Sequence, residues 1–122
     1  SAYTASKSAS LSFAESLAIN NSHLGIKVSA VFSQYIATPM LGFNNDKIIE
    51  TKNLISAKNA ATRILRGVAL EKFLILTDKH TNYFFRKKSK NYEKWILGMN
   101  KLNQRILEER GEIKINSVHK FI

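Results

Sequence analysis

Tyr3 and Lys7 stand four residues apart in Tyr3-Thr4-Ala5-Ser6-Lys7. On a helix that spacing puts both side chains on one face, one turn apart. A lone phenol has a pKa of about 10 and is a poor proton donor or acceptor at neutral pH. An ammonium one turn away favours the phenolate and draws that value toward the working range. The pair is therefore suited to moving a proton on and off the oxygen of a carbonyl/alcohol couple, although Tyr and Lys at this spacing also occur on solvated helices with no chemistry. Metal and thiolate chemistry are not expected: His23, His80 and His119 share no ligand spacing, and there is no cysteine.

The elements that must position this pair follow from periodicity. A helix is expected from about Ala2 to Asn21, because Ala9, Phe13 and Leu17 recur at four-residue steps with Ala5, Ala14 and Ala18 beside them. Lys7 and Glu15 are its only charges, so it should be buried on most of its circumference. Asn20 to Gly25 closes it with turn formers, and Ile26 to Phe32 reads as a strand. A strand after a long helix is what a parallel sheet produces, and ligands in such sheets bind beyond the carboxyl ends of the strands. The loop Ser33 to Met40 sits at that end and puts Thr38 where a ligand would lie. Thr38-Pro39 also reads as a helix cap with proline at the first helical position.

Residues 41–55 read as a mobile segment with one short helix. Its Phe43, Ile48 and Ile49 either line an apolar pocket or pack the loop down. Ser56 then caps an amphipathic helix over 57–70, with an apolar stripe of Ala57, Ala60, Ala61, Ile64, Leu65 and Val68. Phe73 to Thr77 reads as a short buried strand. Strand 26–32, helix 57–70 and strand 73–77 together predict a right-handed βαβ crossover.

The order of Tyr3 to Lys7, the small-residue helix through Phe13-Ala14-Glu15-Ser16-Leu17-Ala18, the segment Gly25 to Val31 and then Ile36-Ala37-Thr38-Pro39-Met40 resembles the classical short-chain dehydrogenase/reductase family. The resemblance covers residues 1 to about 78. It implies α/β architecture, as the C-terminal part of a Rossmann-like doubly wound parallel sheet, with a lid over about 39–55; residues 79–122, beyond the resemblance, read as a basic helical tail. It implies an oxidoreductase using NAD or NADP on a carbonyl/alcohol small molecule. By the same resemblance Tyr3 is the catalytic acid/base, and Lys7 holds the nicotinamide ribose and lowers the tyrosine's pKa. The backbone of Ile36 and the hydroxyl of Thr38 meet the nicotinamide carboxamide. The first helix packs across a subunit interface in that family, which implies a homo-oligomer; burial inside one subunit is the alternative.

The sequence departs from the family in three respects. Ser33-Gln34 stands where Pro-Gly is usual, so the turn lacks proline's fixed φ and glycine's freedom. Ser1 is too close to Tyr3 to be the family's catalytic serine. No Gly-x-Gly-x-x-Gly occurs, the glycines being Gly25, Gly42, Gly67, Gly98 and Gly111. An upstream portion carrying those features is therefore expected.

Composition bounds the remaining possibilities. With 44% hydrophobic and 23% charged residues, the chain of 122 residues fits one folded domain rather than a disordered segment. The net charge of +10 is uneven: residues 1–61 hold five Lys/Arg against three acids, and residues 62–122 hold fourteen against six. The tail carries Tyr83, Phe84 and Phe85 before Arg86-Lys87-Lys88-Ser89-Lys90. A helix from about Asn91 to Glu109 follows, with the stripe Tyr92, Trp95, Ile96, Met99, Leu102 and Ile106 and Gly111 as its end. Such a tail suits core or partner packing, peripheral membrane contact or, least well, nucleic acid. No apolar run is long enough to cross a bilayer and no signal peptide is visible, so the expected location is cytoplasmic, with membrane contact through the tail as an option. A basic binding module without catalysis is the alternative function. Because two parallel strands are too few for a stable sheet and their face is left exposed, the chain by itself is expected to be inactive, marginally stable or aggregating, and without measurable affinity for NADH or NADPH; fluorescence titration and a thermal melt check this.

Overall fold

The computed structural model describes residues 1–43 and 50–111. Its elements are α1 (Ala2–Asn21), β1 (Ala30–Phe32), β2 (Tyr35–Ala37), β3 (Leu54–Ser56), α2 (Ala57–Ala69), β4 (Leu74–Leu76), α3 (Lys79–Lys90) and α4 (Tyr92–Arg110), with 3₁₀ turns at Ser22–Leu24 and Pro39–Leu41. The architecture is α/β, with two separate parallel strand pairs, β1 with β4 and β2 with β3.

The β1–β4 pair places Ala30, Val31 and Phe32 against Leu74, Ile75 and Leu76. Ala30 N donates to Phe73 O (2.6 Å) and Thr77 N to Phe32 O (3.1 Å), extending the ladder by one bond at each end. The expected strand over 26–32 is thus reduced to its last three residues. The reason lies in the partner: the chain leaves α2 through Glu71, held in the left-handed region at φ 53°, and becomes extended only afterwards. Residues 26–28 therefore have no ladder to join, and Ser29 meets the turn only through its hydroxyl, which donates to Lys72 O (2.8 Å).

The β2–β3 pair corrects the expectation of a loop over 33–40 and an irregular, helical segment over 41–55. Tyr35-Ile36-Ala37 and Leu54-Ile55-Ser56 are parallel strands, with Ile36 opposite Ile55. Three-residue strands are too short for alternation to show in a sequence, which is why they were read as loop. Ile48 and Ile49 lie outside the described residues. Among the described residues of the region, the short helix is the 3₁₀ turn that starts at Pro39, and residues 44–49, where the rest of the expected helical segment falls, lie outside them.

Strand β3 runs directly into α2. Ser56 ends the strand and caps the helix, its hydroxyl accepting from Asn59 N (3.2 Å). Glu50 reinforces this start, its Oε1 accepting from Ser56 N (2.8 Å) and Asn59 Nδ2 (2.7 Å). The Ser56 amide above all, with the Ser56 and Asn59 side chains, holds the Glu50 carboxyl below its usual range.

Helix α2 lies against β2, β3 and β4. Its seated face is not quite the expected stripe. Ala60 and Gly67 are buried and Ile64 half-buried, while Leu65 and Val68 are exposed. The helix is rotated so that its backbone at Gly67 comes down on β4. A Cβ there would lie 2.7 Å from Ile75 Cγ1 and 2.8 Å from Cδ1.

Helix α1 also departs from expectation: none of its residues is buried, and Phe13 and Ile19 are 65% and 76% exposed. Its main packing partner is the 3₁₀ turn that ends it. Its polar side chains bond back to their own helix, Ser6 to Tyr3 O, Ser10 to Ser6 O and Asn20 to Ser16 O. A small-residue helix needs a close neighbour along its length to be buried, and among the described residues none supplies one. Helices α3 and α4 meet at Asn91, which ends the first and caps the second by accepting from Lys94 N (2.8 Å). Gly111, at φ 70°, closes α4 as expected.

Gly67→Ala should destabilise the fold by about 1–3 kcal/mol despite alanine's better helix propensity, because Ile75 is β-branched, buried and unable to swing clear. Adding Ile75→Val should recover part of the loss. Urea denaturation of the two single variants and the double variant gives the coupling.

Candidate functional site

The expected site residues fall on two separate elements. Ser1 caps α1, its hydroxyl accepting from Thr4 N at 3.4 Å and lying 3.0 Å from the Thr4 hydroxyl. This starts the helix immediately before Tyr3. The Lys7 Nζ sits 5.4 Å from the centroid of the Tyr3 ring. The one-turn spacing thus brings ammonium and phenol together, and Tyr3 remains 55% exposed and open to a ligand.

Ile36 is the middle residue of β2, and Thr38 follows that strand in extended conformation at φ −139° and ψ 163°. The Thr38 carbonyl is occupied, accepting from Leu41 N (2.9 Å) and Phe43 N (3.1 Å). Its hydroxyl makes no cap bond to the turn that follows, so the expected capping role is met in position but not in hydrogen bonding. Thr38 is half-buried at a strand's carboxyl end, and among the described residues its hydroxyl has no hydrogen-bond partner. Among the described residues, no hydrogen bond, ion pair or ring contact joins Tyr3 or Lys7 to Ile36 or Thr38.

Two clefts open elsewhere. One of about 1010 Å³ lies along β4, between Arg63 and Arg66 of α2 with Leu70 just after it, and Lys79, Asn82 and Arg86 of α3. A second, of about 740 Å³, is lined by residues of α3 and α4 with Gln34. Neither is lined by Tyr3, Lys7, Ile36 or Thr38.

A polar cluster that sequence reasoning missed ties the carboxyl ends of β1 and β4 together. Asp78 caps α3, its Oδ1 accepting from Thr81 N (2.8 Å). Its Oδ2 accepts from the hydroxyls of Thr81 (2.7 Å) and Thr77 (3.0 Å). The Thr81 hydroxyl in turn accepts from Gln34 N (3.0 Å), just beyond β1. Arg63 completes the cluster from α2, donating to Thr77 O at 2.6 Å. Partial burial pushes the Asp78 carboxyl up, but the Thr81 hydroxyl and amide, with Thr77 and the His80 amide, outweigh it, and the net shift is downward. Both carboxylate oxygens are engaged by neutral donors, so the group suits holding α3 in place rather than proton transfer. The signal was present in the sequence: an aspartate directly before a helix, with its hydrogen-bonding Thr three residues on. Phe85, in edge contact with Phe32 at 5.6 Å between ring centroids, adds an apolar clamp from α3 to β1.

No family model, curated protein or solved structure matches this chain. The set of three or more His, Cys, Asp and Glu side chains that a metal ion would require is absent among the described residues.

Asp78→Ala should cost about 1–2 kcal/mol of stability at neutral pH by removing the cap. Because the folded carboxyl titrates below its unfolded value, the wild-type advantage is complete above that unfolded value, near pH 4. It should be lost as pH falls through the lower folded value. Thermal melts of both proteins from pH 7 to pH 2 check the convergence.

Proposed function

We propose that the chain serves a nicotinamide-dependent oxidoreductase that interconverts a carbonyl and an alcohol, with Tyr3 as proton donor and acceptor. The observation that carries this is the contact of the Lys7 ammonium with the Tyr3 ring on an exposed helix face, in a chain whose sequence order resembles the short-chain dehydrogenase/reductase pattern. Parallel pairing of β1 with β4 around α2 supports the same reading, since that is how such sheets are built.

The residues present suit one end of the cofactor. The Thr38 hydroxyl and the Ile36 backbone would meet the carboxamide of NAD or NADP, and Lys7 would meet the ribose. For the pyrophosphate this chain offers no glycine-rich loop. When bound, the nicotinamide supplies or takes the hydride. The chain's own part is proton management. In the reducing direction the Tyr3 hydroxyl gives its proton to the substrate oxygen as that oxygen gains negative charge. In the oxidising direction the phenolate takes the proton back. The Lys7 ammonium restrains the ring and offsets the charge that develops on the phenol oxygen. Oligomerisation through α1 fits the same reading, because that helix carries only two charges and exposes Phe13, Leu17 and Ile19.

The test is carbonyl reduction with NADH or NADPH by the protein encoded by the gene as a whole. Tyr3→Phe should lower kcat by about 10²–10⁴-fold, as expected for loss of a general acid. Thr38→Val should act mainly on the KM for the cofactor. Turnover unchanged by Tyr3→Phe would reject the assigned role.

A further inference from the structure

We propose that the α3–α4 pair is a docking surface for an anionic lipid bilayer. Three observations converge on it. First, aromatic rings and lysines are stacked together there. The Lys88 Nζ lies 4.7 Å from the Trp95 ring centroid and 5.3 Å from that of Tyr92, and Lys87 lies 5.5 Å from Tyr83. The Tyr92 and Trp95 rings meet edge-on at 6.1 Å. Tyr, Trp and Lys each combine an apolar body with a polar tip, the combination that settles at the boundary between headgroups and acyl chains.

Second, α4 exposes apolar side chains that the other described residues do not cover. Ile106 is buried and Trp95 and Leu102 are half-buried, so the helix sits on that line. Tyr92, Ile96 and Met99, spaced at i, i+4 and i+7 on the adjoining flank, stay exposed. The 740 Å³ cleft between the helices continues this surface, with Phe84, Trp95 and Leu102 alongside Lys87, Lys94 and Lys101. Among the described residues no carboxylate lines that cleft.

Third, the charge is one-sided on α3, while α4 sets Lys94, Lys101, Arg105 and Arg110 against Glu93, Glu108 and Glu109. Helix α3 holds Lys79, Arg86, Lys87, Lys88 and Lys90 and no acidic residue. Cations and apolar side chains on one surface match the phosphates and acyl chains of an anionic phospholipid together. A nucleic acid would satisfy the lysines but leave Ile96 and Met99 in water. Among the described residues no helix is long and apolar enough to cross a membrane, so contact is with the surface.

Trp95 is the only tryptophan in the chain and reports on the site directly. The 122-residue chain is mixed with vesicles of phosphatidylcholine, alone or with about a third phosphatidylserine, and followed by co-sedimentation and Trp95 emission. The expected result is binding with a blue shift to the serine-containing vesicles only, weakened as salt rises to about 0.5 M. Lys87→Glu with Lys88→Glu should weaken partitioning about tenfold or more. Ile96→Ser with Met99→Ser should do the same while leaving the thermal melt intact, because both side chains are exposed. Phe13→Ser on α1 should leave binding unchanged. The proposal is overturned by absence of a blue shift, by equal binding to uncharged vesicles, by loss that follows Phe13 instead, or by an equal response to an oligonucleotide. It stands independently of hydride transfer, and failure of either leaves the other in place.

Discussion

The fold depends on one close approach, that of the α2 backbone at Gly67 to the side chain of Ile75. Each strand pair has three residues a side, far too little hydrogen bonding to stand alone in water. Helix α2 is what joins them, since it packs on β2, β3 and β4 at once. It can do so only because position 67 has no side chain to hold the helix away from the strand. The consequence reaches the carboxyl end of β4. Arg63, one turn before Gly67 on the same face, is brought within 2.6 Å of Thr77 O. Thr77 is followed by Asp78, whose carboxylate caps α3 and bonds the threonine that holds Gln34. A single missing methyl group is therefore connected, through one arginine and one aspartate, to the placement of the next helix.

This seat explains what the sequence disclosed and what it hid. Helices α1, α2 and α4 were legible to within a residue or two because each is long, periodic and capped, by Ser1, Ser56 and Asn91 respectively. The parallel β1–β4 pair was legible because Phe73-Leu74-Ile75-Leu76-Thr77 has the length and β-branching of a buried strand. The rotation of α2 was not. Apolar periodicity counts Leu65 and Val68 and passes over glycine, although glycine is the residue that decides which side touches the sheet. Strands β2 and β3 were hidden by their length, and burial of α1 was overestimated because composition states what a helix could pack against without stating what is there.

The candidate site divides along the same line. That Tyr3 and Lys7 share a face is a local fact, fixed by helix geometry, and the ring contact at 5.4 Å is what the spacing requires. The relation of that face to Thr38 is a tertiary fact, and no local pattern encodes it. The Asp78–Thr81–Gln34 cluster is intermediate. Its cap is local and readable, but the bond to Gln34 joins positions 47 apart in the chain and exists only once α3 has docked.

The uncovered surfaces of the chain differ in chemistry, and that difference sorts what each can meet. In the β1–β4 ladder, Ala30 N and Phe32 O turn toward β4, so the N–H and C=O of Val31 face the opposite edge. Val31 is exposed there, as are Phe13, Ile19, Leu24 and Ile26. A strand edge unpaired among the described residues calls for hydrogen-bonding backbone, and an almost uncharged helix with exposed apolar side chains calls for close-packed side chains, both of which polypeptide supplies. The α4 flank presents apolar residues of similar size but has the Lys88 ammonium of α3 held over its Tyr92 and Trp95 rings, with Lys87, Lys94 and Lys101 along the adjoining cleft. Burying that flank under protein would strand those charges away from water at a cost of several kcal/mol each. At a bilayer surface the same lysines keep water and phosphate around them while Ile96 and Met99 leave it, and that asymmetry separates the two surfaces.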